Sequence, residues 1–164
     1  MASAVVLLVI TSFTVKAASL PLSANLQAVL LAKILMYEKT YKNSSGVSVY
    51  VVNAPPISEA FSKLIGESTD HIGIKTVLSG DNLPEERYDL IYLNDLSLVA
   101  EAKKYASKHR SVLVTGKKQL VEEGITLGTS AENGRPKFYL NLTASFSADL
   151  DWEPKVLSIV GTFR

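Results

Sequence analysis

Val47-Ser48-Val49-Tyr50-Val51-Val52, then Asn53-Ala54-Pro55-Pro56, is a short β-branched run closed by a double breaker. Such a run reads as a strand. The Ser58–Ile65 segment after it has helical spacing and is closed by Gly66. The alternation then repeats. Residues 72–78 read as a second strand and residues 88–93 as a third. Leu98, Val99, Ala102 and Tyr105 set a helical period over residues 96–109, with Lys108, His109 and Arg110 at its end, where the helix dipole favours cations. Ser111-Val112-Leu113-Val114 is a fourth strand, and residues 119–123 are a short helix with Gly124 suited to its C-terminal cap. Upstream, Leu26, Val29, Leu30, Ile34, Leu35 and Tyr41 place one helix over residues 24–41, ended by Asn43-Ser44-Ser45-Gly46.

Strands alternating with helices mean an α/β sheet with parallel strands and crossover helices. The closing segment differs. Residues 125–130 and 136–142 flank Ala131-Glu132-Asn133-Gly134, a turn signal for an antiparallel hairpin. The expected fold is therefore a single-domain mixed sheet. Period two sends Phe138, Leu140 and Leu142 to the core and Tyr139 and Asn141 to the other side. A last helix is expected over residues 154–160, stopped by Gly161.

The chain has 164 residues, a formal net charge of +1 and no cysteine. Near-neutrality argues against a nucleic-acid partner, which needs a basic surface. Lack of cysteine excludes a disulfide scaffold and a thiol nucleophile. Residues 1–13 are almost wholly apolar, and Val15-Lys16-Ala17 follows with small residues at peptidase positions. This reads as a signal peptide over residues 1–17, cleaved after Ala17, leaving an α/β domain over 18–164. The protein is then periplasmic or secreted, or tethered if the leader is kept. Residues 26–36 are too short for the ~20 residues of a membrane span.

Familiar catalytic patterns are incomplete. Gly116-Lys117-Lys118 follows a strand, but a phosphate-binding loop needs glycine where Ser111 stands and a hydroxyl where Lys118 stands. Asp95, Thr115 and Lys117 follow the order of a phosphoacceptor receiver, yet Asn53-Ala54-Pro55 replaces its acidic metal-binding pair. His71 and His109 have no His, Asp or Glu partner at ligand spacing, so no metal or cofactor is implied. No Gly-x-Ser-x-Gly elbow occurs, which disfavours a hydrolase. Lys103, Lys104, Lys108, Arg110, Lys117 and Lys118 form a basic stretch, read first as a solvated face and second as a contact for anionic lipid or an acidic partner. In open α/β sheets ligands sit beyond the carboxyl ends of the strands, which marks Asn53, Asn94, Asp95 and Thr115 as candidate ligand-binding residues.

The last third carries a resemblance. Gly134, Arg135, Phe138, Leu140, Asn141 and Leu142 form a Gly-Arg turn, an alternating strand and an Asn-Leu ending, before the Leu-containing segment 155–160. This resembles the YfiR-like family of exported bacterial proteins, as do Leu26–Leu35 at the opening helix and Val47–Val52 at the first strand. Residues 37–41 lack the Trp-Pro that members with known regulatory roles carry, and their cysteines are missing. The resemblance implies a non-enzymatic periplasmic regulator, dimeric, restraining a membrane diguanylate cyclase through that enzyme's periplasmic sensing domain, and so acting on cyclic-di-GMP signalling and biofilm formation. The alternative from the residues alone is a small-ligand binding module. Asn141 reads mainly as a side chain satisfying backbone groups near the following helix.

Overall fold

The first strand, β1 (Val47–Val52), runs where its β-branched sequence places it. In this computed structural model, residues 21–67 and 70–164 are described. The leader expected over residues 1–17 lies outside them. The strands that follow are β2 (Ile74–Gly80), β3 (Leu90–Tyr92), β4 (Val112–Thr115), β5 (Leu127–Glu132), β6 (Arg135–Asn141) and β7 (Val160–Phe163). The helices are α1 (Ala24–Ile34), α2 (Lys39–Lys42), α3 (Pro55–Ser62), α4 (Val99–His109), α5 (Lys118–Glu122), α6 (Leu142–Ser147) and α7 (Pro154–Leu157).

Among the described residues the strands form one seven-stranded sheet in the order β2-β1-β3-β4-β5-β6-β7. Pairing is parallel from β2 through β5, antiparallel for β5 with β6, and parallel again for β6 with β7. The mixed α/β sheet is the one the sequence predicts. Its first five strands take the doubly wound order that reverses direction between β1 and β3.

Both faces of the sheet are covered. Val49, Leu90, Tyr92, Val112 and Val114 face a core shared with α1 and α3, through residues such as Leu31 and Phe61. Ile91, Leu93 and Leu113 face a second core built with α4, through Ala102 and Tyr105. Two-sided burial is why the central strands read as unbroken apolar runs.

Three expectations are corrected. The helix expected over residues 24–41 breaks. After α1 comes a 3₁₀ turn at Leu35–Tyr37, then Glu38 in extended backbone, then α2. Glu38 bridges Trp152, Lys39 N–H donates to the Asp151 carbonyl, and Glu153 N–H donates to the Tyr37 carbonyl. A partner more than a hundred residues away thus overrides local periodicity. The helix expected to start at Ser58 instead starts at Pro55, because proline fits the first helical positions, where no N–H is needed. The last helix stops at Leu157, and Val160–Phe163 is a strand. Gly161 is no stop. It pairs with Tyr139, and a Cβ there would lie 3.2 Å from the Tyr139 ring. Because β7 and the helices cover the hairpin, Tyr139 and Asn141 are buried like Leu140, and Leu142 opens α6.

Burial fixes several tyrosines in the neutral state. It raises Tyr41, with the Asp89 and Glu38 charges adding to it, and raises Tyr92 to about 12. Tyr139 is also raised to about 12 by burial and by its hydrogen bond to Glu132. Each holds its proton more tightly folded than unfolded, where ionisation falls near 10. For Tyr92 and Tyr139 the contribution is complete below pH about 10 and is lost as the pH climbs through about 12, and Tyr41 gives way later still. Urea midpoints should therefore fall steeply across that window, with native phenolate absorbance lagging that of the unfolded chain.

Candidate functional site

The carboxyl ends of β3 and β4 bring Asn94 and Thr115 together. Asn94 Oδ1 accepts from Thr115 Oγ1 at 2.6 Å and from Gly116 N–H at 3.1 Å. Asn94 Nδ2 donates to the Tyr92 hydroxyl at 2.8 Å, which donates to Gln27 Oε1 at 2.8 Å. Gln27 Nε2 donates to the Leu22 carbonyl at 2.6 Å, and Lys117 Nζ donates to the Asn94 carbonyl at 2.8 Å. Thr115 and Tyr92 are fully buried. The result is a hydrogen-bonded chain that pins α1 across the strand ends.

Asp95 and Asn53 stand outside that chain. Asp95 Oδ1 accepts from Ser97 N–H at 2.8 Å and Ser97 Oγ at 2.7 Å, capping the 3₁₀ turn at Leu96–Leu98. Those two bonds hold its carboxyl below the usual carboxylate range. Asn53 is exposed, with φ at +47°, and its N–H donates to the Gly80 carbonyl. The nearby start of α3 is poor in donors. Pro55 and Pro56 have no N–H, and the Ile57 and Ser58 amides both go to the Ala54 carbonyl. Gln27 and Tyr92 were missed by sequence reasoning. The available signal was a glutamine at 27 sharing the stripe of Leu31 and Ile34, a polar group on a buried helical face.

At the hairpin tip, Asn133 and Gly134 both have positive φ, as a two-residue type I′ turn requires, and Glu132 pairs Arg135 across it. Phe138 and Leu140 pack on the core shared with α1. Asn141 Oδ1 accepts from Ala144 N–H, capping α6, and its Nδ2 donates to the Val121 carbonyl, both at 2.8 Å. Beside the turn, the Glu132 carboxylate receives Lys137 Nζ at 2.8 Å and the Tyr139 hydroxyl. These bonds lower its pKa to about 2. Lys118 Nζ sits 5.1 Å from the Tyr139 ring centre, and that ring stacks on Phe163 at 5.9 Å.

The basic stretch does not form one patch. Arg110 pairs with Asp149, Lys117 is bonded to Asn94, and Lys118 pairs with Glu132. Lys103, Lys104 and Lys108 remain on the exposed side of α4. The most exposed large apolar side chain among the described residues is Phe146 on α6, at 87%. Among the described residues there is no cluster of His, Asp or Glu able to hold a metal, and no helix is long and apolar enough to cross a membrane.

A model of the YfiR/HmsC-like family matches residues 24–160. No curated protein matches the chain. Among solved structures, a conserved domain protein from Vibrio cholerae O1 biovar eltor aligns with a TM-score of 0.56 at 17% identity. The alignment covers 88% of this chain and 61% of that one, so this chain spans about three fifths of that structure's length. At that identity the likeness is one of fold.

Proposed function

The chain belongs to the YfiR/HmsC-like family, and from that premise we propose that it is an exported regulator acting by contact, without catalysing a reaction. Membership carries a regulatory, periplasmic role in general. The proposal goes further. The partner is the periplasmic domain of an inner-membrane diguanylate cyclase or sensor, and the regulator works as a homodimer. The mechanism is a population shift, in which the regulator binds one state of its partner better than the other. The observation that carries this reading is the family match, which runs from the first residue of α1 to the first of β7. The surface agrees with it. Phe146 at 87% exposure is a ready aromatic anchor for a partner pocket.

Deleting the gene should raise cellular cyclic-di-GMP several-fold, and the full chain should capture a diguanylate cyclase from detergent-solubilised membranes. An unchanged cyclic-di-GMP level with no cyclase recovered would sink the reading. Phe146→Asp should leave the thermal midpoint within a degree or two, since the ring packs on little. If Phe146 is an anchor worth about 2 kcal/mol or more, partner affinity should fall roughly thirty-fold.

A further inference from the structure

At the end of the sheet opposite Asn94, a hollow of about 220 Å³ opens between α4, the turn from α5 to β5, and α6. Its floor is apolar, made by three alanines and one leucine: Ala106, Ala144, Ala148 and Leu113. Two side chains on its polar wall are themselves inside the protein, Thr126 at 1% exposure and Asn141 at 4%. Asn141 has used one donor on Val121 and one lone pair on Ala144, so each polar atom keeps one more site. The Thr126 hydroxyl has no hydrogen-bond partner among the described residues, although the Thr126 carbonyl is engaged by Asn141 N–H at 2.8 Å. Thr126 lines the hollow, so its hydroxyl is free to bond a molecule seated there.

The rim decides what kind of molecule fits. Lys103 and Arg164 stand on it with Glu122 and Glu123, and none of the four is in an ion pair among the described residues. Two charges of each sign give no net preference for an ion. Gly124, at φ +113°, leaves room for Lys103 to lie across the mouth; a Cβ there would lie 2.8 Å from its Nζ. The size decides the rest. An apolar cavity of ~150 Å³ accepts benzene, so this one has room for a ring plus a polar substituent.

We propose that this hollow binds a small uncharged ring compound with one hydroxyl head, seated with the ring on the alanine floor and the head on Thr126 and Asn141. The site goes beyond the regulatory reading and does not depend on it, because it lies within one chain and is tested without a partner.

The test is nitrogen-15 NMR titration of the full chain with benzyl alcohol and, as the headless probe, toluene. Both should saturate, with shifts centred on Gly124, Thr126, Asn141 and the α6 amides, and benzyl alcohol should bind at least tenfold tighter. Thr126→Val keeps the shape and removes the hydroxyl. It should cost benzyl alcohol about tenfold and change toluene less than twofold. Ala144→Leu should fill the hollow and abolish both; if it fails to fold, the Thr126→Val comparison decides alone. No saturable shift at the hollow with either probe, or an equal loss for both in Thr126→Val, overturns the proposal.

Discussion

Glu38→Leu should destabilise the domain by about 2–4 kcal/mol, read as a lower urea midpoint at unchanged slope. Glu38 has no exposed surface. Its carboxylate accepts from the Tyr41 and Asp151 backbone amides, each at 3.0 Å, and from the Thr40 hydroxyl at 3.2 Å. Leucine leaves the buried Tyr41 amide with no acceptor and takes the acceptor from the part-buried Asp151 amide, and an orphaned buried amide costs about 1–3 kcal/mol. The Thr40 hydroxyl is on an exposed residue and can turn to water. A domain of this size loses roughly 2–4 °C of Tm per kcal/mol, so the midpoint should drop by about 10 °C. Glu38→Gln should fall between, since an amide offers one acceptor where two are needed. Asp151→Ala is the control. It removes the exposed pair with Lys39, and pairs of that kind contribute about 1 kcal/mol at most. A Glu38→Leu protein within 1 kcal/mol of the parent would mean that the amides find other acceptors, and that the joint between α1 and the Trp152 segment does not depend on this side chain.

That joint also marks the limit of what sequence can reveal. β1 and the hairpin were legible because their signals are local: β-branched residues before Pro55-Pro56, and Asn133-Gly134 between two apolar runs. The parallel order followed from alternating elements and from central strands buried on both faces. The break at Glu38 was not legible. Its cause is a bridge to Trp152, and helical spacing continues across it to Tyr41. β7 was missed for a different reason. Gly161 reads as a helix stop, while its use is to lie against Tyr139. Thr162 and Phe163 after it did favour a strand, and four residues are too few for alternation to outweigh a glycine. At the strand ends, Asn94 and Thr115 could be placed on one edge because both follow strands. Their bond to each other depends on side-chain rotamers, and its continuation to Gln27 depends on where α1 docks, which no local pattern encodes.

The hydrogen-bonded chain at the strand ends supports the second large effect. Asn94→Leu should cost about 2–4 kcal/mol. Asn94 Oδ1 is the acceptor for both the Thr115 hydroxyl and Gly116 N–H, and its Nδ2 is one partner of the Tyr92 hydroxyl. Leucine removes all three at once. Tyr92 keeps its bond to Gln27, so the loss concentrates on Thr115 and Gly116, both of them buried residues. Gly116 cannot be moved aside to compensate. A Cβ there would meet Gln27 Oε1 and lie 2.9 Å from the Tyr92 hydroxyl, so backbone, glutamine and tyrosine are already in contact. Thr115→Val alone should cost about 1–2 kcal/mol, because it leaves Asn94 one of its two incoming bonds. The double variant should then cost less than the sum, with a coupling of about 0.5–3 kcal/mol. Strict additivity would show that the two side chains act separately and that the strand ends are not locked. The same variants separate stability from function. In a protein that regulates by contact elsewhere on its surface, Asn94→Leu should lower stability while the folded fraction still binds its partner with parental affinity. Lost regulation at full folded occupancy would move the working site back to Asn53, Asn94, Asp95 and Thr115, where an open α/β sheet would hold a ligand.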